Sequence, residues 1–319
     1  MKTGMNEPSD RARTVSPPPT CILCGGHGEL RYSDCRDLEY FIPASFDFYR
    51  CTACGFVFMH PLPTRDELPR LYPSTYHNFD APSGAISRAL LDRYYAHHAA
   101  ICRRYLPRDG AFLEIGSAGG DLLARLRDHG YRNVQGVELS RDGWEISRQK
   151  GLEVFHGTVE EFATDQRFDM LFMSHVIEHV LDPVATVGRM ASLLKEGGVL
   201  YVETPNMGAL DARIWRRHWG LIHYPRHLYL FDRRTLGRLL AGGGLAVERV
   251  WSEINSCGWA LSVQGMLRRL GIDPSRRPRS WYYPAVLVAC LPLNLLDLCF
   301  GGTAFMASVA RKNGGSTKR

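Results

Sequence analysis

Leu113-Glu114-Ile115-Gly116-Ser117-Ala118-Gly119-Gly120-Asp121-Leu122 is the stretch that decides the fold. It closes one apolar run and opens a helical pattern. A second apolar run, Val134-Gln135-Gly136-Val137, ends on the acid Glu138. The order is strand, glycine turn, helix, strand, acid, an arrangement that binds a nucleoside-bearing cofactor. Glycines let the backbone approach a ligand and take turn angles that a β-carbon resists. The following helix turns free N–H groups toward anionic atoms. Glu138 stands where it can accept hydrogen bonds from two ribose hydroxyls.

A dinucleotide site reads G-x-G-x-x-G. Here an acid sits two residues before the first glycine, as Glu114-x-Gly116-x-Ala118-Gly119-Gly120. This resembles motif I of the class I S-adenosylmethionine-dependent methyltransferases, (D/E)-x-G-x-G-x-G, with Ala118 at the usual middle glycine. The resemblance continues in order. Phe168 to Ser174 reads as a buried strand. His175-Val176-Ile177-Glu178-His179-Val180-Leu181-Asp182-Pro183 is similar to the segment after the fourth strand in many small-molecule methyltransferases. Leu193 to Asn206 reads as a helix end, a Gly197-Gly198 turn and a fifth strand. Gly157-Thr158-Val159 falls where the family contacts adenine, although the family often has Asp at the Thr158 position. The resemblance covers about residues 108–255, with a last strand near 303–311.

The resemblance implies a Rossmann-like, doubly wound α/β sheet of seven strands, the last antiparallel. It also implies S-adenosylmethionine as cofactor, held by Glu114, Gly116, Ser117, Ala118, Gly119, Gly120, Glu138, Leu139, Thr158, Val159 and Ser174.

Four cysteines form two knuckles, Cys21-x-x-Cys24-Gly25 and Cys51-x-x-Cys54-Gly55. Four thiolates in tetrahedral array suit structural zinc and leave no open coordination position. Aromatic residues between the knuckles suggest a small β-ribbon. Cys35 has no partner motif, and Cys102, Cys257, Cys290 and Cys299 read as buried thiols.

The chain has 319 residues, nine cysteines and a formal net charge of +6. That charge permits an acidic substrate without demanding nucleic acid. The expected organisation is a polar, proline-rich disordered tail over 1–18, a zinc ribbon over 19–61, a helical cap over 62–107 and the methyltransferase domain over 108–319. No apolar signal opens the chain, and a cytoplasmic protein is expected, with contact at the inner face of a membrane as an open alternative. Tyr72, Tyr76, His77, Tyr94, Tyr95, His97 and His98 of the cap are candidates to reach the pocket.

Ligands in such folds bind beyond the carboxyl ends of the strands. The loop His223-Tyr224-Pro225-Arg226-His227 should lie there. It resembles the corresponding loop of zinc-ribbon methyltransferases, including sugar C-methyltransferases, with Arg226 in place of a glutamate. His227 and Tyr224 are the catalytic candidates it implies: His227 fits either a general base or a residue pinning the loop. His175, a third catalytic candidate, should line the pocket near the sulfonium. His175 and His179 lie one helical turn apart, but the third ligand and the His-Glu-x-x-His order are missing, so no metal is expected there and His179 should be structural. Residues 256–300 form an insert with a basic run, Arg276-Arg277-Pro278-Arg279, then Trp281-Tyr282-Tyr283 and an apolar stretch. It is broken by prolines and suits either a membrane surface at 276–300 or a packed lid. The expected activity is methyl transfer to a small molecule, a sugar or lipid-linked glycan intermediate. An RNA methyltransferase is the alternative within the fold, disfavoured by the balanced charge of the ribbon. A non-catalytic scaffold that binds the cofactor is the alternative outside enzymology.

Overall fold

The computed structural model describes residues 18–43, 45–72, 85–275 and 277–314. The expected disordered tail and the candidates Tyr76 and His77 lie outside them. The chain opens with strands β1 (Gly28–Arg36), β2 (Ser45–Cys51) and β3 (Val57–His60), followed by helix α1 (Ala85–Tyr105). Then come β4 (Phe112–Ile115), α2 (Asp121–Asp128), β5 (Val134–Glu138), α3 (Arg141–Gln149), β6 (Glu153–His156) and β7 (Phe168–Ser174). The second half runs α4 (Pro183–Leu193), β8 (Leu194–Pro205), α5 (Leu210–Trp215), β9 (Tyr229–Leu230), α6 (Arg233–Gly242) and β10 (Leu245–Glu253). Helices α7 (Cys257–Arg269), α8 (Tyr283–Ala289) and α9 (Leu293–Cys299) precede β11 (Phe305–Lys312).

Seven strands form the main sheet in the order β10-β11-β8-β7-β4-β5-β6. β4 is central, parallel to both β5 and β7. β11 is antiparallel to its neighbours β8 and β10, as expected of the last strand. Successive strand side chains point to opposite faces. Phe112, Met170, Phe172, Tyr201 and Val309 therefore pack with α1 and α2 through Cys102, Leu106, Leu122 and Leu126. Leu113, Ile115, Leu171, Met173 and Val202 pack on the other face against Val187, Met190, Leu236 and Leu239 of α4 and α6. Strands buried on both faces need near-continuous apolar runs, which these have. Asp182 caps α4 by accepting the Ala185 N–H at 2.9 Å, with Pro183 preset at the first helical position.

The ribbon does not stand apart. β9, from the loop after α5, adds to β3, so the small sheet runs β1-β2-β3-β9. The Met59 N–H also donates to the Leu228 carbonyl at 2.8 Å. Phe56 stacks on Tyr229 with centroids 5.6 Å apart and lies 5.0 Å from Phe231. The Arg226 guanidinium, 1% exposed, meets Asp37, 5% exposed, at 2.9 Å. A two-residue strand borrowed from a distant loop leaves no periodic signal, yet through it the ribbon's buried aromatics join the core cluster on one face of the main sheet.

The insert folds as three helices. Among the described residues no helix is long and apolar enough to cross a membrane. Its basic run is partly engaged: Arg279 pairs with Glu39, and the Arg277 carbonyl accepts from Arg268. Arg276 lies outside the described residues. Cys299 is exposed rather than buried, because the outer side of α9 faces solvent.

Removing one partner of a buried pair leaves an uncompensated charge. Asp37→Asn should therefore lower stability by about 3 kcal/mol in urea unfolding, and a change within experimental error would show that the pair does not hold the ribbon to the loop.

Candidate functional site

The glycine turn joins β4 to α2. Gly116 and Gly120 have φ of +73° and +75°, and Ala118 has φ of +48°. A β-carbon at Gly116 would meet Val176 Cγ2 at 2.3 Å, so the turn is pressed against the loop after β7. A β-carbon at Gly120 would meet Leu152 Cδ1 at 2.4 Å. The Gly119 carbonyl accepts from Lys150 at 2.7 Å.

Glu138 ends β5. Its two oxygens accept the Ala118 and Ser140 N–H groups, each at 2.7 Å. Burial raises its pKa, opposed by those amides. A carboxylate has about four acceptor positions, so two remain for hydroxyl donors. Leu139 beside it is 64% exposed, an apolar face suited to a flat ring. Glu114 is buried, and its Oε2 has no hydrogen-bond partner. Burial pushes its carboxyl well above the usual range, with the charges of Glu138 and Asp121 adding. An orphaned buried acceptor fits a cationic amino group. The hydroxyls of Ser117 and Thr158 are likewise buried without a partner, and Val159 is buried beside Thr158. Two ribose hydroxyls, an apolar ring and an ammonium are the groups these residues fit, as S-adenosylmethionine requires.

A second constellation adjoins the first. Glu203 near the end of β8 receives His98 Nε2 at 2.6 Å, the Tyr201 hydroxyl at 3.1 Å and the Ser174 hydroxyl at 3.2 Å. Ser174 Oγ lies 3.0 Å from the Tyr94 hydroxyl. Burial opposes ionisation of Glu203, but His175 and His98 hold it well below the usual range. His175, at φ of +55°, lies 3.6 Å from Glu178 and 3.5 Å from Glu203. Burial would lower its pKa, yet the two carboxylates raise it to about 10. His175 is thus a cation between two anions, and a proton acceptor is not available there at neutral pH.

His227 is buried. Its Nδ1 donates to the Leu221 carbonyl at 2.8 Å, and its Nε2 lies 3.9 Å from Glu178 Oε1. Burial, then His179 and His223, drive its pKa well below the ordinary value. A base held that low takes a proton only from an acidic hydroxyl. Tyr224 lies elsewhere: its hydroxyl donates to the Arg217 carbonyl at 3.2 Å and its ring meets Phe48 edge-on at 5.4 Å. It lines a cavity of about 390 Å³ between the ribbon and the insert, together with His223, Arg36, Arg217 and Arg269. His223 pairs with Glu39 at 2.6 Å. Of the cap candidates, Tyr94 and His98 reach the site, Tyr72 meets His179 at 3.1 Å, and His97 pairs with Glu253. Glu203 and Glu178 were not among the candidates; their signal was an acid at the carboxyl end of an apolar strand or just beyond it.

The four knuckle cysteines cluster. Cys21 and Cys54 sulfurs lie 3.7 Å apart, and those of Cys24 and Cys51 3.4 Å. A disulfide needs about 2.05 Å, whereas thiolates around a metal at about 2.3 Å lie about 3.8 Å apart. The donor set fits zinc.

The family described as "Methyltransferase domain" matches residues 88–250, just over half of the chain. The chain belongs to this family, the S-adenosylmethionine-dependent methyltransferases. Three similar proteins are each named ubiquinone biosynthesis O-methyltransferase. That of Chelativorans sp. is 30% identical over 49% of this chain and 67% of its own length. Those of Aromatoleum aromaticum and Vibrio vulnificus are 33% and 29% identical, over 30% and 31% of this chain. The chain spans under half of those two, 43% and 46%. Among solved structures, a SAM-dependent methyltransferase from Thermotoga maritima is 22% identical, with a TM-score of 0.46 over 70% of this chain and 92% of its own. One from Archaeoglobus fulgidus is 20% identical, with a TM-score of 0.47 over 70% and 99%.

Removing a charged hydrogen-bond acceptor costs about 1.5–3 kcal/mol. Glu138→Ala should weaken S-adenosylhomocysteine binding in calorimetry by that amount, and unchanged affinity would remove its role at the ribose.

Proposed function

We propose that this protein transfers the methyl group of S-adenosylmethionine to an oxygen of a small, lipid-linked acceptor, a sugar or glycan intermediate. The observation that carries the reading is the contact of Gly116 with Val176, in the same turn after β7 that supplies Glu178 and His179 of the cluster with His227. The O-methyltransferase names of the similar proteins support oxygen as the accepting atom.

When bound, the cofactor supplies a methyl group on a sulfonium, open to in-line attack. Glu138, fixed by two backbone N–H groups, would hold the ribose hydroxyls. Glu114 would receive the amino group, and Leu139, Thr158 and Val159 the adenine. Gly116, Ser117, Gly119 and Gly120 would shape the turn around the methionine moiety. His175 holds Glu178 and Glu203 in place. The face formed by Glu178, His179 and His227 would receive the acceptor oxygen, and alignment of that oxygen is the main service the protein renders. The cavity beside Tyr224 is lined by Arg36, Arg217, Arg226, Arg268 and Arg269 against Asp34, Asp37 and Glu39, a net positive lining that suits a phosphate-bearing part of the acceptor.

Two further features fit this reading. Trp281 is 91% exposed and Leu295 68%, with Val288, Leu296, Leu298 and Phe300 exposed nearby, an apolar surface suited to lie on a bilayer. The four thiolates would hold a zinc that fastens the ribbon on which β9 is built.

His227→Ala should keep cofactor binding and lower turnover about 10²-fold by loosening the alignment of the acceptor oxygen in methyl transfer to lipid-linked glycans or sugar nucleotides; full activity would leave His227 as a loop pin. Cys51→Ser should lose one zinc per chain and unfold early. A folded variant with unchanged zinc content would exclude the thiolate site. The full chain should float with anionic vesicles, and Trp281→Ser with Leu295→Ser should sediment free; a wild-type chain that stays in solution would exclude the membrane surface.

A further inference from the structure

Glu178, His179 and His227 offer one ligand atom each, all within 4.8 Å of one another. The turn after β7 supplies two of them and the loop before β9 the third. The backbone locks the two segments together: the Glu178 carbonyl accepts the Leu228 N–H at 2.8 Å and the Tyr229 N–H at 3.3 Å.

Each ligand already has the outer partner that a metal ligand needs. His227 Nδ1 faces the Leu221 carbonyl at 2.8 Å, and His179 Nδ1 the Arg226 carbonyl at 3.0 Å. A carbonyl only accepts, so each ring carries its proton on Nδ1 and keeps a lone pair on Nε2. Metal-bound imidazoles are oriented by this kind of bond. The Thr204 hydroxyl donates to Glu178 Oε2 at 3.0 Å and orients the carboxylate. Glu178, 1% exposed, leaves its other oxygen, Oε1, with no partner inside hydrogen-bond distance; His175 Nδ1 stands off it at 3.6 Å and His227 Nε2 at 3.9 Å. A buried carboxylate oxygen without a donor is costly, and such exceptions call for a missing partner.

We propose that Glu178, His179 and His227 bind a divalent transition metal, as a site separate from the four cysteines. Two imidazoles and one carboxylate suit zinc or its first-row neighbours, whereas magnesium and calcium favour all-oxygen sets. Three protein ligands leave a position open, as metal sites that bind a further molecule do. Closing the ligands from their present spacing takes small side-chain rotations. His175, shared between Glu178 and Glu203, falls back on Glu203 when Glu178 takes the metal. The site does not depend on which acceptor the enzyme methylates.

The test is metal stoichiometry and cobalt spectroscopy on the full chain. Zinc-loaded wild type should hold two equivalents. In cobalt titration one equivalent should show the thiolate charge-transfer band and the other should lack it. Glu178→Gln and His227→Ala should each lose the equivalent without the band while still binding S-adenosylhomocysteine. Thr204→Val, which touches no ligand atom, should weaken that equivalent about 10–100-fold. A wild type that holds one equivalent, all of it on thiolates, overturns the proposal even if a variant fails to fold. So does a second equivalent that survives in both ligand variants. Loss of S-adenosylhomocysteine binding by wild type would instead count against the methyltransferase reading and leave the metal result standing.

Discussion

The buried pair of Arg226 and Asp37 is the constraint on which the face formed by Glu178, His179 and His227 depends. The two residues are 189 positions apart, and both are nearly inaccessible. Neither charge can be buried alone without a large penalty. The ribbon and the loop from His223 to Tyr229 must therefore meet in one arrangement. Once they meet, β9 continues the ribbon sheet, and the carbonyl of Glu178 takes the amides of Leu228 and Tyr229. His227 is then carried to within reach of Glu178. The ribbon thus acts as a buttress for the site, and the cysteine cluster fastens the buttress.

The cofactor side is built differently. It rests on backbone: positive φ at Gly116, Ala118 and Gly120, and amides aimed at Glu138. The Glu178 face rests on buried side-chain charge. His175 lies between Glu178 and Glu203, and His98 hydrogen-bonds Glu203 from the other side. The two sides touch where Gly116 packs on Val176, one residue after His175. A side chain larger than hydrogen at position 116 would push the two constellations apart.

This difference also decides what the sequence could reveal. The strand, turn and helix from Leu113 to Leu122 and the acid at Glu138 are local, and their chemistry is written in consecutive residues. The order of the main sheet follows from that pattern and from apolar runs such as Phe168 to Ser174. The cysteine knuckles are equally local. By contrast, His98 meets Glu203 across 105 positions and Arg226 meets Asp37 across 189. Neither pairing carries a periodic signature. The third member of the His179 and Glu178 cluster was invisible for the same reason: His227 arrives from another loop. Tyr224 and His227 are three residues apart, yet one lines the ribbon cavity and the other faces Glu178. Spacing alone could not separate their roles.

The Gly116 turn and Glu138 are proposed to hold S-adenosylmethionine beside the Glu178 face. Amide hydrogen exchange of the full chain with and without S-adenosylhomocysteine tests this most directly. Bound ligand should slow exchange at residues 116–121, 138–140 and 157–159, with little change at residues 28–36 of the ribbon. Unchanged exchange in those three segments at saturating ligand, or protection confined to the ribbon, would contradict it.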